Sequence, residues 1–169
     1  MKYVHTLLAM LALITFATPA PASDKHRAKL LEGFQETPAV ITGATGSFHM
    51  VIARGDGSFD FELTYEGIEG GSVTQAHIHV GQPNVAGGIV IFLCTNQAPP
   101  AGVPVPPPCP ASPGTVTGTR SAADVLAQTT QGVSAGELSA VLTAIREGVA
   151  YANVHSTASP AGEIRGQIE

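Results

Sequence analysis

A chain of 169 residues, only 12% of them charged, is long enough to close about one domain around a real core. Its formal net charge of −5 argues against nucleic acid or an anionic membrane surface as the default partner.

The N-terminus reads as an export signal: Lys2 supplies the charged region, an apolar stretch runs from about Leu7 to Ala17, and Ala20-Pro21-Ala22 forms a small-x-small cleavage site. Pro21 disfavours a cut after Ala20, so residues 1–22 are expected to leave and the mature chain to begin at Ser23. Loss of Lys2 takes the net charge from −5 to −6. The apolar stretch falls short of the roughly 20 residues a membrane span needs, and no Cys follows the cleavage site to accept a lipid. The expectation is a soluble secreted or periplasmic protein with one domain over residues 23–169.

Lys29 to Phe34 is a plausible first strand, ended by a turn-rich break at Thr37-Pro38. Ser47 to Arg54 and Ser58 to Glu66 alternate and are joined by Gly55-Asp56-Gly57, where an Asp-Gly pair suits a tight hairpin turn. In the second run Phe59, Phe61, Leu63 and Tyr65 share one face, and Asp60, Glu62, Thr64 and Glu66 the other. Asp56, Ser58 and Asp60 imitate the start of a calcium loop, but the later glycine and the closing bidentate Glu are missing. Val73 to Val80 and Gly88 to Cys94 are the next strands, and Ile89-Val90-Ile91-Phe92-Leu93 is apolar enough to be central.

Prolines dominate residues 95–113, which excludes a ladder strand or helix there. Cys94 and Cys109 flank this excursion, and in an oxidising compartment they are expected to pair. Such a loop closure stabilises by about 3 kcal/mol in the chain-entropy model. Gly114 to Arg120 is a further strand. Two helical pieces follow, started by Ser121 ahead of Asp124 and by Ser134 ahead of Glu137, both in capping-box form. In the second, Leu138, Val141, Leu142 and Ile145 make an apolar stripe that Gly148 ends. Ala150 to His155 and Glu163 to Ile168 close the chain as strands. The predicted fold is all-β: a two-sheet antiparallel sandwich with Greek-key-like crossings and one or two short helices near the C-terminal third.

Two segments repeat one another: Ala76-His77-Ile78-His79, running on to Ala86-Gly87-Gly88-Ile89, and Ala152-Asn153-Val154-His155, running on to Ala161-Gly162-Glu163-Ile164. Side chains two apart on a strand share a face, so His77 and His79 point one way, as do Asn153 and His155. If the copies pair, three imidazoles converge.

These blocks, with Gly33-Phe34-Gln35-Glu36-Thr37-Pro38-Ala39-Val40 before them and Pro160-Ala161-Gly162-Glu163-Ile164-Arg165-Gly166-Gln167-Ile168 at the end, resemble the hallmark blocks of the CHRD domain, first described in chordin. The resemblance covers nearly all of the mature chain and implies an extracytoplasmic β domain without an agreed catalytic activity. The proline-rich stretch is longer than the family pattern suggests. A weaker resemblance is to copper/zinc superoxide dismutase, whose sandwich also carries a His-x-His strand and a later Val-His strand. Only His77, His79 and His155 have counterparts there, and neither a bridging His nor a zinc set is evident.

Two imidazoles on one strand face, their origins ~6.6 Å apart at a ~3.3 Å rise, can lean onto one ion at ~2.0–2.1 Å. Copper or zinc is the natural guest of imidazole. The same three histidines can instead hydrogen-bond carboxylates or backbone carbonyls beneath a loop. Glu36 and Glu163 are candidates for a further ligand or for an acceptor of imidazole N–H, while Glu163 can equally pair with Arg165. His26 and His49 carry no partner pattern. No Gly-x-Ser-x-Gly elbow is present, a disulfide-bound Cys cannot attack, and no phosphate-cradling glycine loop opens a helix, so catalysis would have to run through a metal. The sequence thus points to a non-catalytic extracytoplasmic binding module contacting a protein, a matrix component or a metal. The alternative is a mononuclear copper or zinc protein with a redox or metal-handling role.

Overall fold

The computed structural model describes residues 24–169, so the expected export signal and cleavage site lie outside the described residues. Eight strands and one α-helix follow in chain order: β1 Asp24–Glu32, β2 Thr45–Ile52, β3 Ser58–Glu66, β4 Val73–Val80, β5 Gly88–Thr95, β6 Gly114–Ser121, α1 Leu138–Arg146, β7 Ala150–Ser156 and β8 Ile164–Gln167. All paired strands are antiparallel, in the order β5-β4-β7-β8-β1-β2-β3-β6. The two layers expected of a sandwich are halves of this one curled sheet. Phe48, Phe61 and Leu63 from one half share a core with Ile78, Leu93 and Val154 from the other. The β3–β4 and β5–β6 connections both cross between the halves, as a Greek-key-like path requires.

Alternation is strictest in β3, where Phe59, Phe61, Leu63 and Tyr65 are buried and Asp60, Glu62 and Glu66 exposed. Its hairpin with β2 is in register from Thr45↔Glu66 to Ile52↔Phe59. Asp56, at the turn, accepts from Arg146 rather than standing in a calcium loop.

The first strand differs from expectation. It begins at Asp24 and stops at Glu32, and Gly33–Gln35 form a tight helical turn that leaves Phe34 64% exposed. A register shift between Ala28 and Leu31 breaks the alternation of β1, which hid its first half from a periodicity argument. The apolar run in β5 is not central in the ladder either. β5 ends the hydrogen-bonding order, and its apolarity reflects a covered edge. Arg120 of β6 donates to the carbonyls of Phe92 (2.9 Å) and Leu93 (2.8 Å), and Leu126 N–H donates to Val90 O at 2.9 Å. The two ends of the sheet are thereby drawn together.

Only one of the two expected helical pieces is an α-helix. Ser121 and Asp124 do form a capping box, but around the single turn Ala122–Asp124. At the second start Ser134 N–H donates to Glu137 at 3.0 Å, and α1 begins at Leu138. Leu138, Val141, Leu142 and Ile145 are all buried. Gly148 ends the helix in the left-handed region (φ 67°), with Val149 N–H reaching back to Ala144 O.

Cys94 and Cys109 are disulfide-bonded. Above the bridge Asn96 latches the proline-rich loop, its side chain donating to Val73 O and Cys109 O and accepting from Cys109 N–H. Tyr65 OH holds Pro110 O at 2.6 Å. Among the described residues no helix is long and apolar enough to cross a membrane.

Candidate metal centre

The two repeated copies pair directly, β4 against β7, with His77 opposite Asn153, His79 opposite Tyr151 and Gln75 opposite His155. Ala76 and Ile78 of β4, and Ala150, Ala152 and Val154 of β7, point into the core. The intervening residues therefore lie on the other face of the sheet. That face is not solvated here: His77, His79, Tyr151, Asn153, His155 and Arg165 are all buried.

One ring nitrogen from each of His77, His79 and His155 falls within 4.8 Å of the others. The other nitrogen of each ring meets an oxygen that can only accept. His77 Nε2 faces Gln75 Oε1 at 2.9 Å, His79 Nδ1 faces Gly87 O at 2.9 Å, and His155 Nδ1 faces Pro160 O at 3.0 Å. Each of these nitrogens therefore carries the ring's proton. Left unprotonated are His77 Nδ1, His79 Nε2 and His155 Nε2. His77 Nδ1 and His155 Nε2 are 3.1 Å apart, while His79 Nε2 is buried without a partner. A ligating imidazole ordinarily anchors its second nitrogen in this way.

Burial keeps the three rings neutral. It is the leading cause that takes His77 down to about 2, with the neighbouring His155 and His79 adding to it. It takes His79 down to about 4 and lowers His155 as well. Neutral imidazole is the form that binds metal.

The walls come from side chains outside the His-x-His pattern. The Tyr151 ring stacks on His79 with centroids 4.7 Å apart, and Arg165 lies over the other face of Tyr151 at 3.4 Å. Arg165 also donates to Val85 O and Gln82 O, clamping the 81–87 loop over the histidines. Phe92 meets the edge of His77 at 4.3 Å. The pattern Tyr151-x-Asn153-x-His155 was the signal for Tyr151, since three residues at period two share a face. Nothing local in the sequence marks Arg165 as a clamp.

The two candidate carboxylates part company. Glu36 is buried beside the cluster, where Arg165 and Asn153 favour its charged form, yet burial prevails and pushes it up to about 7. Its Oε1 has no partner. Glu163 is not brought into the histidine group. It accepts from Thr42 Oγ1, Glu69 N–H and Gly70 N–H, tying two distant loops to the start of β8. Burial alone would raise it, but hydrogen bonds from Ser156, Glu69, Thr42 and Gly70 hold it below the usual carboxylate range. Its expected pairing with Arg165 does not form, because Arg165 is spent on Tyr151 and the loop carbonyls. His26 pairs with Asp24, away from the cluster.

An all-antiparallel β protein with a buried group of three histidines on the reverse of its sheet is the class these observations define. The chain belongs to the CHRD domain family, whose model matches residues 28–168. No curated protein and no solved structure matches it.

Proposed function

We propose that this chain is an extracytoplasmic, non-catalytic metal-binding module of the CHRD family, holding one copper or zinc ion between His77, His79 and His155. One observation carries the reading: each of the three imidazoles sets one ring nitrogen against a carbonyl-type oxygen, and ligand atoms of all three lie within 4.8 Å of one another. A core histidine needs a partner for each nitrogen, and here a cation is the partner that serves three at once. The disulfide supports an oxidising compartment, and the family supports export. Metal analysis and calorimetry on untagged mature protein test the proposal. One equivalent of Zn(II) or Cu(II) is expected to bind at neutral pH, and His155→Ala to lose it. Failure of wild type to bind either ion removes the reading.

A second reading, contact with a protein or matrix component, is favoured by apolar side chains on the loops above the histidine face. Phe34 and Ile41 flank Glu36 and are 64% and 83% exposed, and Val85 on the clamped loop is 47% exposed. Ile41→Asp is expected to abolish partner capture while leaving metal binding intact.

A further inference from the structure

We infer that the side-chain oxygen of Asn153 is the fourth donor to this ion and closes its coordination, an inference that rests on the metal reading above. Asn153 faces His77 across the β4–β7 pairing and precedes His155 by two on the same strand face. It is 1% exposed. Its Oδ1 lies 3.0 Å from His155 Nε2. No hydrogen bond explains that approach, because the single proton of neutral His155 is on Nδ1, given to Pro160 O.

The amide turns its Oδ1, not its nitrogen, to His155 Nε2. Turned over, it would satisfy that nitrogen as a donor, so the side on which the oxygen lies is what makes Asn153 a ligand.

The donor set is then three imidazole nitrogens and one amide oxygen. The contacts of 3.0 and 3.1 Å are edges of the polyhedron they define. A tetrahedral ion with ~2.0–2.1 Å bonds separates its donors by about 3.3–3.4 Å, so to admit it the two short edges open slightly and the widest imidazole separation, up to 4.8 Å, closes. Four protein ligands leave no position for water or substrate, which is the arrangement of structural rather than catalytic sites. The ion would fasten β4 to β7 beneath the loops and activate nothing.

Cobalt(II) titrated into untagged mature protein, followed by its visible absorption and then challenged with azide, tests this. Wild type is expected to give a tetrahedral spectrum that azide leaves unchanged. Asn153→Ala is expected to bind at least about tenfold more weakly, the scale on which outer partners of a ligand already act. Azide should then fill the opened position and shift its spectrum, while Asn153→Asp, which keeps the oxygen, binds tightly and ignores azide. The inference is overturned if azide shifts the wild-type spectrum, or if Asn153→Ala binds as wild type does. Should the alanine variant fail to fold, wild type and Asn153→Asp still decide through the azide challenge. Wild type that takes up no ion removes both readings, whereas tight binding indifferent to Asn153 removes only this one.

Discussion

His77 Nδ1 and His155 Nε2 face each other across 3.1 Å. Gln75 accepts the proton of the first ring and Pro160 that of the second, so two lone pairs meet in a buried site. A third proton would resolve the contact, but an imidazolium here would sit unsolvated beside two further rings, and burial drives both groups away from that form. A metal ion shared by the three rings would resolve it, because each lone pair would then have a partner.

The depressed histidines make stability depend on pH with a definite sign. Below about 6.5 the unfolded chain takes up protons that folded His77 and His79, lowered to about 2 and about 4, refuse. Metal-free protein therefore loses stability as pH falls from 6.5 toward 4, by about 1.4 kcal/mol per pH unit for each proton of difference. Glu36 opposes this, since its folded value of about 7 against an ordinary 4.5 means that the fold binds its proton more tightly between those limits. Glu36→Gln should accordingly steepen the acid loss between pH 4.5 and 6.5. Denaturant midpoints across that range check it, and a wild type equally stable at pH 7 and pH 4 would contradict it.

Leu142 sits fully buried in the stripe that docks α1 on the sheet. Leu142→Ala is expected to cost about 2–5 kcal/mol, the range for a large-to-small change at a packed site. Equilibrium unfolding measures this, and a cost near zero would mean that the helix is not docked.

The parts of this molecule legible in its sequence are those where a period reports a face. Phe59, Phe61, Leu63 and Tyr65 announced the core side of β3, and the repeated blocks announced both the β4–β7 pairing and the meeting of three imidazoles. The register shift in β1 breaks that period and hides the first half of the strand, and the apolar run of β5 reports burial, not the number of hydrogen-bonded neighbours. The partners of Glu163 and Arg165 were unreadable for another reason. Thr42, Glu69, Gln82 and Val85 reach them from loops roughly 80 to 120 residues away, all but Thr42 through backbone groups, which carry no side-chain signature.

Reduction of the Cys94–Cys109 bridge should destabilise without unfolding. The bond closes a separation of 15 residues, worth about 3 kcal/mol through the unfolded state. The loop base keeps its Asn96 and Tyr65 hydrogen bonds when the bond is cut. Reduced protein is expected to retain its far-ultraviolet circular dichroism and to show a lower denaturant midpoint. An unchanged midpoint would show that the loop is held by Asn96 and Tyr65 alone.

Gln75 offers the separation of metal affinity from fold stability. Its carbonyl fixes the proton of His77 on Nε2, and its amide is held in that sense by Gln97 Oε1 at 3.0 Å. In Gln75→Leu the acceptor is gone, and the proton of His77 is free to move to Nδ1, where it can be donated to His155 Nε2 across the existing 3.1 Å contact. The metal-free protein then exchanges the His77–Gln75 hydrogen bond for one between His77 and His155 and relieves the meeting of two lone pairs, as the site loses a donor. Metal affinity should fall by about 10- to 100-fold while metal-free stability holds or rises, and Gln75→Glu should preserve the affinity. A purely structural role for Gln75 predicts the reverse: lower stability and unchanged affinity. Calorimetric titration and denaturant unfolding on the same three proteins separate the two.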